Sequence, residues 1–485
     1  MWYGWNFRSG RGVLPGTKDM ERAARSRKLQ IRNIAVFGLG KLGACIAASL
    51  ASRGFRVMGI DVDRSKTEAL AKGLAPVEEP LLQKTIRQAR SRLKATMDPR
   101  EAVRHSDVSF FIPPTPSLGD GSFSNEYLLR AVEGAARAVH ELRKGFHLFV
   151  VNSTVTPGTC DGVLRPFLEK ILQGECGKKF GLCYNPEFIA LGDVLRGLLE
   201  PDFVLIGESD EASGAALERV YKRFCKKAPS IERMSNINAE LAKISLNCAV
   251  TTKISFVNQL SAICAEIPGA DARVILRAIG NDRRIGQDYL KPGLGFGGPC
   301  FPRDNRLFQY VAQSAGVDAA LAHATDKINE NVNQRLLETV LAHSPAGGPV
   351  GVLGLAYKPF TAVVDRSPGI WLCQQLAECD RQVFAHDYLA GASARSTLPN
   401  DRIQVFDEPV EMIRNGCQTF VITCPWPDYK KLFESQAGEL GRRGAVIVDP
   451  WRQLEALMPH LKNILYISNL RSSKAARTTK MVAHV

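Results

Sequence analysis

Apolar and polar positions follow three successive patterns along the chain. Residues 33–63, NIAVFGLGKLGACIAASLASRGFRVMGIDVD, predict an apolar strand, a glycine turn, an alanine-rich helix and a second strand ending on an acid. Further apolar runs at 106–116 (SDVSFFIPPTP), 146–159 (FHLFVVNSTVTPGT), 180–188 (FGLCYNPEF) and 202–207 (DFVLIG) alternate with helical stretches. Such alternation predicts an α/β fold with a doubly wound parallel sheet, whose ligands lie at the C-terminal ends of the strands. Thr115, Thr154 and Glu187 fall at successive ends of this kind and mark out a crevice. The pattern then changes: 238–267 (NAELAKISLNCAVTTKISFVNQLSAICAEI) keeps a helical period throughout, with apolar residues around much of its circumference. A helix of that kind is buried between domains or between subunits, which predicts a homodimer. Lys243 and Asn247 lie four apart on it and share a face. From about 348, GGPVGVLGLAYKPF opens a second α/β unit whose turn lacks a full glycine triplet, so it need not bind a dinucleotide.

The first turn carries chemistry of its own. Gly38, Gly40 and Gly43 form G-x-G-x-x-G between a strand and a helix, giving a tight turn, room for a pyrophosphate and a close helix contact in that order. The pyrophosphate would rest on the helix N-terminus, where N–H groups and the dipole favour anions. Asp61, 21 residues past Gly40, can accept from both ribose hydroxyls and would repel a 2′-phosphate. The expected cofactor is therefore NAD rather than NADP.

Composition narrows the class. The 485 residues are 45% hydrophobic and 8% aromatic, enough for about three globular domains. No apolar run has the length of a membrane span, and the start lacks the apolar run of a signal peptide, so a cytoplasmic protein is expected. The twelve cysteines include no Cys-x-x-Cys pair and no adjacent histidine cluster, which fits neither a metal site nor a disulfide framework. Of the net charge of +14, residues 1–32 carry +6 and residues 471–485 carry +4. The excess thus sits in two basic ends expected to be solvated, and no specific nucleic-acid partner is expected. Met20 opens the segment just before the first strand, so residues 1–19 are expected to be a dispensable extension or a misassigned start. The modestly positive body suits an anionic small substrate.

GFGGPCFPRD (295–304) places Cys300 after a run of glycines. Glycines let backbone N–H groups approach a ligand, and a thiol becomes a nucleophile as thiolate in a positive setting that Arg303 or Lys243 would supply. Asp304 is placed to orient water or to move a proton. A cysteine beside a nicotinamide points to oxidation at the aldehyde level, through a thiohemiacetal that loses hydride and becomes a thioester.

Eight ordered motifs carry a resemblance: the glycine turn, PPTPS, NSTVTPGT, YNPEF, AELAKISLN, RRIG, GFGGPCFPRD and GLAYKP. From about 31 to 470 the chain resembles the UDP-glucose/GDP-mannose dehydrogenase family. The resemblance implies an N-terminal Rossmann NAD-binding domain (31–225) after a basic extension (1–30). It also implies a central helical dimerisation domain with the cysteine loop (226–330), a Rossmann-like UDP-sugar domain (335–470) and a basic tail (471–485). It further implies four-electron oxidation of a sugar C6 alcohol to a carboxylate with two NAD molecules, UDP-glucose to UDP-glucuronate being favoured. The same chemistry on a UDP-N-acetylhexosamine or GDP-mannose, or a non-catalytic sugar-nucleotide-binding protein, are the alternatives.

By matching position, Cys300 would be the nucleophile, and Lys243 and Asn247 would stabilise the oxygen charge at C6. Glu187 would assist thioester hydrolysis, with Asp304 and Thr154 holding a water. Asp61, Lys66, Thr115, Thr154 and Arg303 would contact NAD. Tyr289, Phe296 and Gly297 would line the sugar pocket, Lys358 would meet UDP, and Arg284 would reach the substrate of the neighbouring subunit. Three positions depart from the family pattern: Leu191 replaces a common glutamate, Arg303 replaces a lysine, and Asp365 in TAVVDRSPG stands where an arginine is usual.

Overall fold

The apolar run before the glycine turn forms β1 (Asn33–Phe37), and the alanine-rich stretch after it forms α1 (Lys41–Ser52). The computed structural model describes residues 31–189 and 191–470; the basic ends expected at 1–30 and 471–485 lie outside the described residues. The chain divides into two compact units. One runs to Pro116 and resumes over Ser124–Lys243; the other comprises Ser117–Phe123 and the chain from Ile244 onward.

In the first unit β1 is joined by β2 (Arg56–Ile60), β3 (Leu93–Thr96), β4 (Val108–Phe111), β5 (His147–Val151), β6 (Phe180–Tyr184), β7 (Phe203–Glu208) and β8 (Ser230–Ser235). Their order is β3-β2-β1-β4-β5-β6-β7-β8. Register pairs Phe37 with Ile60 and Phe111, Phe111 with Val151, and Val151 with Tyr184. Five strands therefore end level, and the residues after them share one edge. Strands β4, β5 and β6 are buried at every position, as expected where helices cover both faces of a parallel sheet. On one face Ile34, Val36 and Val57 pack with Ala44, Ala48 and Leu50 of α1. On the other, the rings of Phe37, Phe111 and Phe149 stack at 4.9 and 5.9 Å beneath Ala102 and Val103 of α2 (Pro99–Arg104).

The sheet corrects one expectation, because it is not parallel throughout. β7 runs antiparallel to β6, pairing Cys183 with Glu208 and Tyr184 with Gly207. The segment that follows β6 carries Glu187 and the short helix α3 (Val194–Leu199), whose Leu195 and Leu198 join the core beside α1. It never crosses back to the opposite edge of the sheet, so β7 starts at the edge where β6 stopped.

The long amphipathic stretch forms one helix, α4 (Asn236–Glu266), which begins in the first unit and continues in the second. The second unit also holds α5 (Phe301–Ser314) and α6 (Pro368–Glu378). Its sheet comprises β9 (Val350–Leu353), β10 (Val383–His386), β11 (Ile403–Val405), β12 (Thr419–Ile422), β13 (Val446–Val448) and β14 (Leu465–Ile467). These strands lie in the order β11-β10-β9-β12-β13-β14 and all run parallel. Among the described residues no helix is long and apolar enough to cross a membrane.

Candidate active site

The three glycines of the first turn differ in what surrounds them. Gly38 has φ +100°, and a Cβ there would meet the Ile112 carbonyl oxygen at 2.9 Å. A Cβ on Gly43 would lie 1.9 Å from the Gly38 oxygen, so α1 rests directly against the turn. At Gly40 a Cβ would meet nothing within 4 Å, and no side chain caps the first turn of α1. One open glycine between two crowded ones, at a helix N-terminus, is a cradle for a pyrophosphate. Asp61, at the end of β2, accepts from the N–H of Leu39 (2.6 Å) and of Asp63 (2.9 Å), which ties the turn to the strand. The Lys66 ammonium lies 3.9 Å from Asp61 and 3.6 Å from Asp63. A carboxylate has about four lone-pair sites, so Asp61 keeps capacity for ribose hydroxyls. NAD fits these residues.

The next strand ends are tied together. Thr115 Oγ1 donates to the Thr154 carbonyl at 2.6 Å, and Ser153 Oγ donates to Pro113 O at 2.5 Å. Glu240, buried on α4, accepts from the N–H of Gly158 (2.6 Å) and Cys160 (2.8 Å) and so pins the loop after Thr154. Beyond β6, burial pushes the Glu187 carboxyl up to about 7, against the opposing effects of Tyr221 and Lys243. The Tyr221 hydroxyl lies 2.5 Å from Asn185 Oδ1 and 3.0 Å from Glu187 Oε1. With one proton to donate, the phenol satisfies both neighbours only when the carboxyl supplies the other. Lys243 is buried; its Nζ donates to the Glu187 carbonyl at 2.9 Å and lies 4.8 Å from the centre of the Phe188 ring. Leu191, at the position where a glutamate was expected, packs against the apolar core beside α1.

In the second unit Cys300 is exposed and stands at the N-cap of α5, where the helix dipole favours negative charge. One turn on, Asp304 is buried: its N–H donates to the Cys300 carbonyl (2.9 Å) and its Oδ2 accepts from Asn247 Nδ2 (2.6 Å). The Arg303 guanidinium lies 3.8 Å from the centre of the Phe123 ring, and its Nε is 3.9 Å from Asp304. Burial lowers the Arg303 pKa, while Asp304 and Cys300 act against that shift.

The glycines before Cys300 have another use than the sequence suggests. A Cβ at Gly293 would enter the Trp451 ring (2.2 Å), one at Gly295 the Asn329 amide (2.6 Å), one at Gly297 the Arg366 carbonyl oxygen (2.4 Å), and one at Gly298 the Tyr357 ring (2.7 Å). They admit the chain's own residues, and the loop is held by packing. Phe296 is buried, and its backbone exchanges two hydrogen bonds with the Asn329 amide at 2.7 and 3.0 Å. Tyr289 is exposed with φ +60°, and Lys358 lies 5.9 Å from the centre of the Tyr357 ring. Arg284 is exposed and grips Asp282 with two bonds, of 3.0 and 2.6 Å. At the position where an arginine was expected, the Asp365 carbonyl accepts from Gly298 N–H at 2.8 Å.

The second sheet repeats the glycine turn in altered form. Gly354, after β9, has φ +105°, and a Cβ on Gly369 at the start of α6 would lie 2.1 Å from its oxygen. Asp387, after β10, matches Asp61 in place but accepts five N–H bonds. These come from Leu355, Ala356 and Trp426 Nε1 on one oxygen, and from Leu389 and Ala390 on the other, at 2.8–3.2 Å. That carboxylate is saturated.

Sequence reasoning missed Glu240, Tyr221 and Val62, the last 94% exposed directly after Asp61. Glu240 alone carried a signal, lying one turn before Lys243 on the same helix.

The chain matches the models of the UDP-glucose/GDP-mannose dehydrogenase family in order: the NAD binding domain at 32–225, the central domain at 237–331 and the UDP binding domain at 351–456. It is 32% identical over 406 residues to the UDP-glucose 6-dehydrogenase AglM of Haloferax volcanii, covering 82% of this chain and 92% of that one. It is 34% identical over 358 residues to a GDP-mannose 6-dehydrogenase of Pseudomonas putida, covering 73% and 80%. Among solved structures, a UDP-glucose dehydrogenase from the hyperthermophilic archaeon Pyrobaculum islandicum superposes with a TM-score of 0.81 at 32% identity, over 95% of this chain and all of that one. Ordered matches from residue 32 to residue 456, together with a glycine turn open at one position, lead to one assignment: the chain belongs to the UDP-glucose/GDP-mannose dehydrogenase family and carries its NAD-dependent nucleotide-sugar 6-dehydrogenase chemistry.

Proposed function

We propose that this enzyme oxidises UDP-glucose to UDP-glucuronate through thiohemiacetal and thioester intermediates on Cys300, acting as a cytoplasmic homodimer. The observation that carries the cysteine route is the exposed thiol at a helix N-terminus, one turn from a buried Asn247–Asp304 pair. Preference for UDP-glucose rests on the relatives of that name and on the UDP binding domain.

NAD, when bound, accepts the hydride at each of the two oxidations. The turn of Gly38, Gly40 and Gly43 would receive its pyrophosphate and Asp61 its ribose, Lys66, Thr115, Thr154 and Arg303 would complete the contacts, and exposed Val62 would offer an apolar rest to the adenine ring. The Cys300 thiolate attacks the C6 aldehyde. Asn247 gives one N–H to Asp304 and has another to offer the C6 oxygen; Lys243 gives one proton to the Glu187 carbonyl and has two more. Glu187, held near neutral pH by burial, takes the proton of the water that cleaves the thioester, and Asp304 and Thr154 orient that water. Tyr289, Phe296 and Gly297 line the sugar pocket, Lys358 meets the diphosphate, and Arg284 reaches the partner's substrate. The test is the number of NADH formed per limiting UDP-glucose, with GDP-mannose and UDP-N-acetylhexosamines alongside. Two per UDP-glucose supports the reading; turnover with another sugar alone moves the substrate, and none with any leaves a binding protein.

Two further results are expected. NADH formation should rise with pH through about 7 and lose that limb in Glu187→Gln. The raised carboxyl also sets the sign for stability: its contribution is full below the unfolded carboxyl range and is lost as pH rises through about 7. Urea midpoints at about pH 5 and about pH 8 should therefore differ less in Glu187→Gln than in the parent. For the dimer, α4 exposes Phe256 (51%) and Ile263 (50%), and large apolar side chains in solvent mark an interface. Phe256→Glu with Ile263→Glu should sediment as a monomer, and an unchanged dimer would place the interface elsewhere.

A further inference from the structure

The edge of the first sheet opposite the glycine turn holds a cavity of about 470 Å³, lined by Arg56, Arg92, Lys94 and His105 with Met58 and Ser106 among its other residues. Register explains how these side chains converge. Met58 pairs with Lys94, and paired positions in a parallel sheet point to one side. Arg56, Met58 and Lys94 therefore share the face that carries Phe37 and Ile60 farther along, the face packed by Ala102 and Val103 of α2. At six residues α2 is too short to cover the start of β2 and β3, and His105 and Ser106 follow directly where it stops. Arg92 is anchored at the rim by its Nε bond to the Ala51 carbonyl, 3.2 Å.

An uncovered strand face needs charge to be solvated, but it does not need one sign. Among the described residues, no acid lines this cavity. Asp107, next to Ser106, spends one oxygen on the N–H groups of Arg32 and Asn33 and on the Asn33 amide, at 2.9–3.2 Å. Behind it Lys144 adds another cation, its Nζ donating to the carbonyls of Val103 and Ser106. Like charges crowded round a concave surface raise the local potential, and a bound anion relieves it. Two guanidinium groups favour phosphate oxygens, which they meet in a bidentate fork. The volume falls within the range of about 300–1,000 Å³ usual for small-ligand sites.

We propose that this cavity is a second anion site that takes a diphosphate group, either free pyrophosphate or the tail of a nucleoside diphosphate, at the sheet edge opposite the NAD turn. The test is hydrogen–deuterium exchange of the full chain in saturating NAD, with and without pyrophosphate and, separately, ADP. Slower exchange at 56–58 and 92–94 is expected, together with at least about a tenfold loss of calorimetric affinity in Arg56→Gln/Lys94→Gln from two lost charge-assisted contacts. NADH formation and the thermal midpoint should be unchanged in that variant, since both side chains are exposed. Stronger protection by ADP would name a nucleotide as the source, and equal protection the free diphosphate. Protection confined to 38–43 and 354–358, or equal affinity in the double variant, would overturn the proposal.

Discussion

Cys300→Ala is expected to lower NADH formation from UDP-glucose by at least about a thousandfold, the scale on which removal of a covalent nucleophile acts. Sugar-nucleotide binding should persist, because Cys300 is exposed and its backbone carbonyl accepts from Asp304 N–H whatever the side chain. The diagnostic readout is stoichiometry in a single turnover. A variant that releases one NADH and stalls with the sugar as aldehyde separates alcohol oxidation from the thiol-dependent step. Two NADH per sugar at the parental rate would end the thioester route and leave hydration of the free aldehyde as the path. Denatured parent protein quenched during turnover should carry the mass of the sugar nucleotide on the peptide containing Cys300, and the variant should not.

The second large effect separates two glycines three residues apart. Gly43→Ala drives a Cβ to 1.9 Å from the Gly38 oxygen and 2.9 Å from its carbonyl carbon, backbone atoms that cannot swing aside. The start of α1 must shift, at a cost of about 1–3 kcal/mol typical of overpacking, and the thermal midpoint should fall even without NAD. Gly40→Ala meets no protein atom within 4 Å and keeps φ −67° and ψ −172°, which alanine adopts freely. Its midpoint without NAD should match the parent, while NAD binding weakens by about tenfold or more, because the pyrophosphate needs that space. Parental NAD affinity in Gly40→Ala would mean that the cofactor does not approach the turn there.

What the sequence made legible depended on whether the cause was local. The first glycine turn could be read because Gly38 needs its positive φ for the turn itself and Gly43 answers to Gly38 five residues back, even though Ile112, which also crowds Gly38, is distant in sequence; Asp61 follows at a fixed distance along two short elements. The Lys243–Asn247 pair could be read from helix period alone. The reversal at β7 could not, because a strand's apolar period is the same in either direction. The glycines from 293 to 298 misled for a related reason. Their neighbours, Trp451, Asn329, Arg366 and Tyr357, are at least thirty-odd residues away in sequence, so crowding by the chain looked like room for a ligand. Tyr221 reaches Asn185 and Glu187 of the YNPEF motif from a helix more than thirty residues on, and nothing in the motif announces it.

The saturated carboxylate of Asp387 has a consequence for how two nucleotides share one enzyme. Both sheets present a positive-φ glycine, a helix seated on its oxygen and an acid after the next strand, so on shape alone either turn would draw the cofactor. Only Asp61 keeps lone pairs for a ribose; Asp387 has already given its capacity to five N–H groups. Excess NAD should therefore leave the affinity for the sugar nucleotide untouched, and saturation by either ligand can proceed without cross-inhibition at the other's turn.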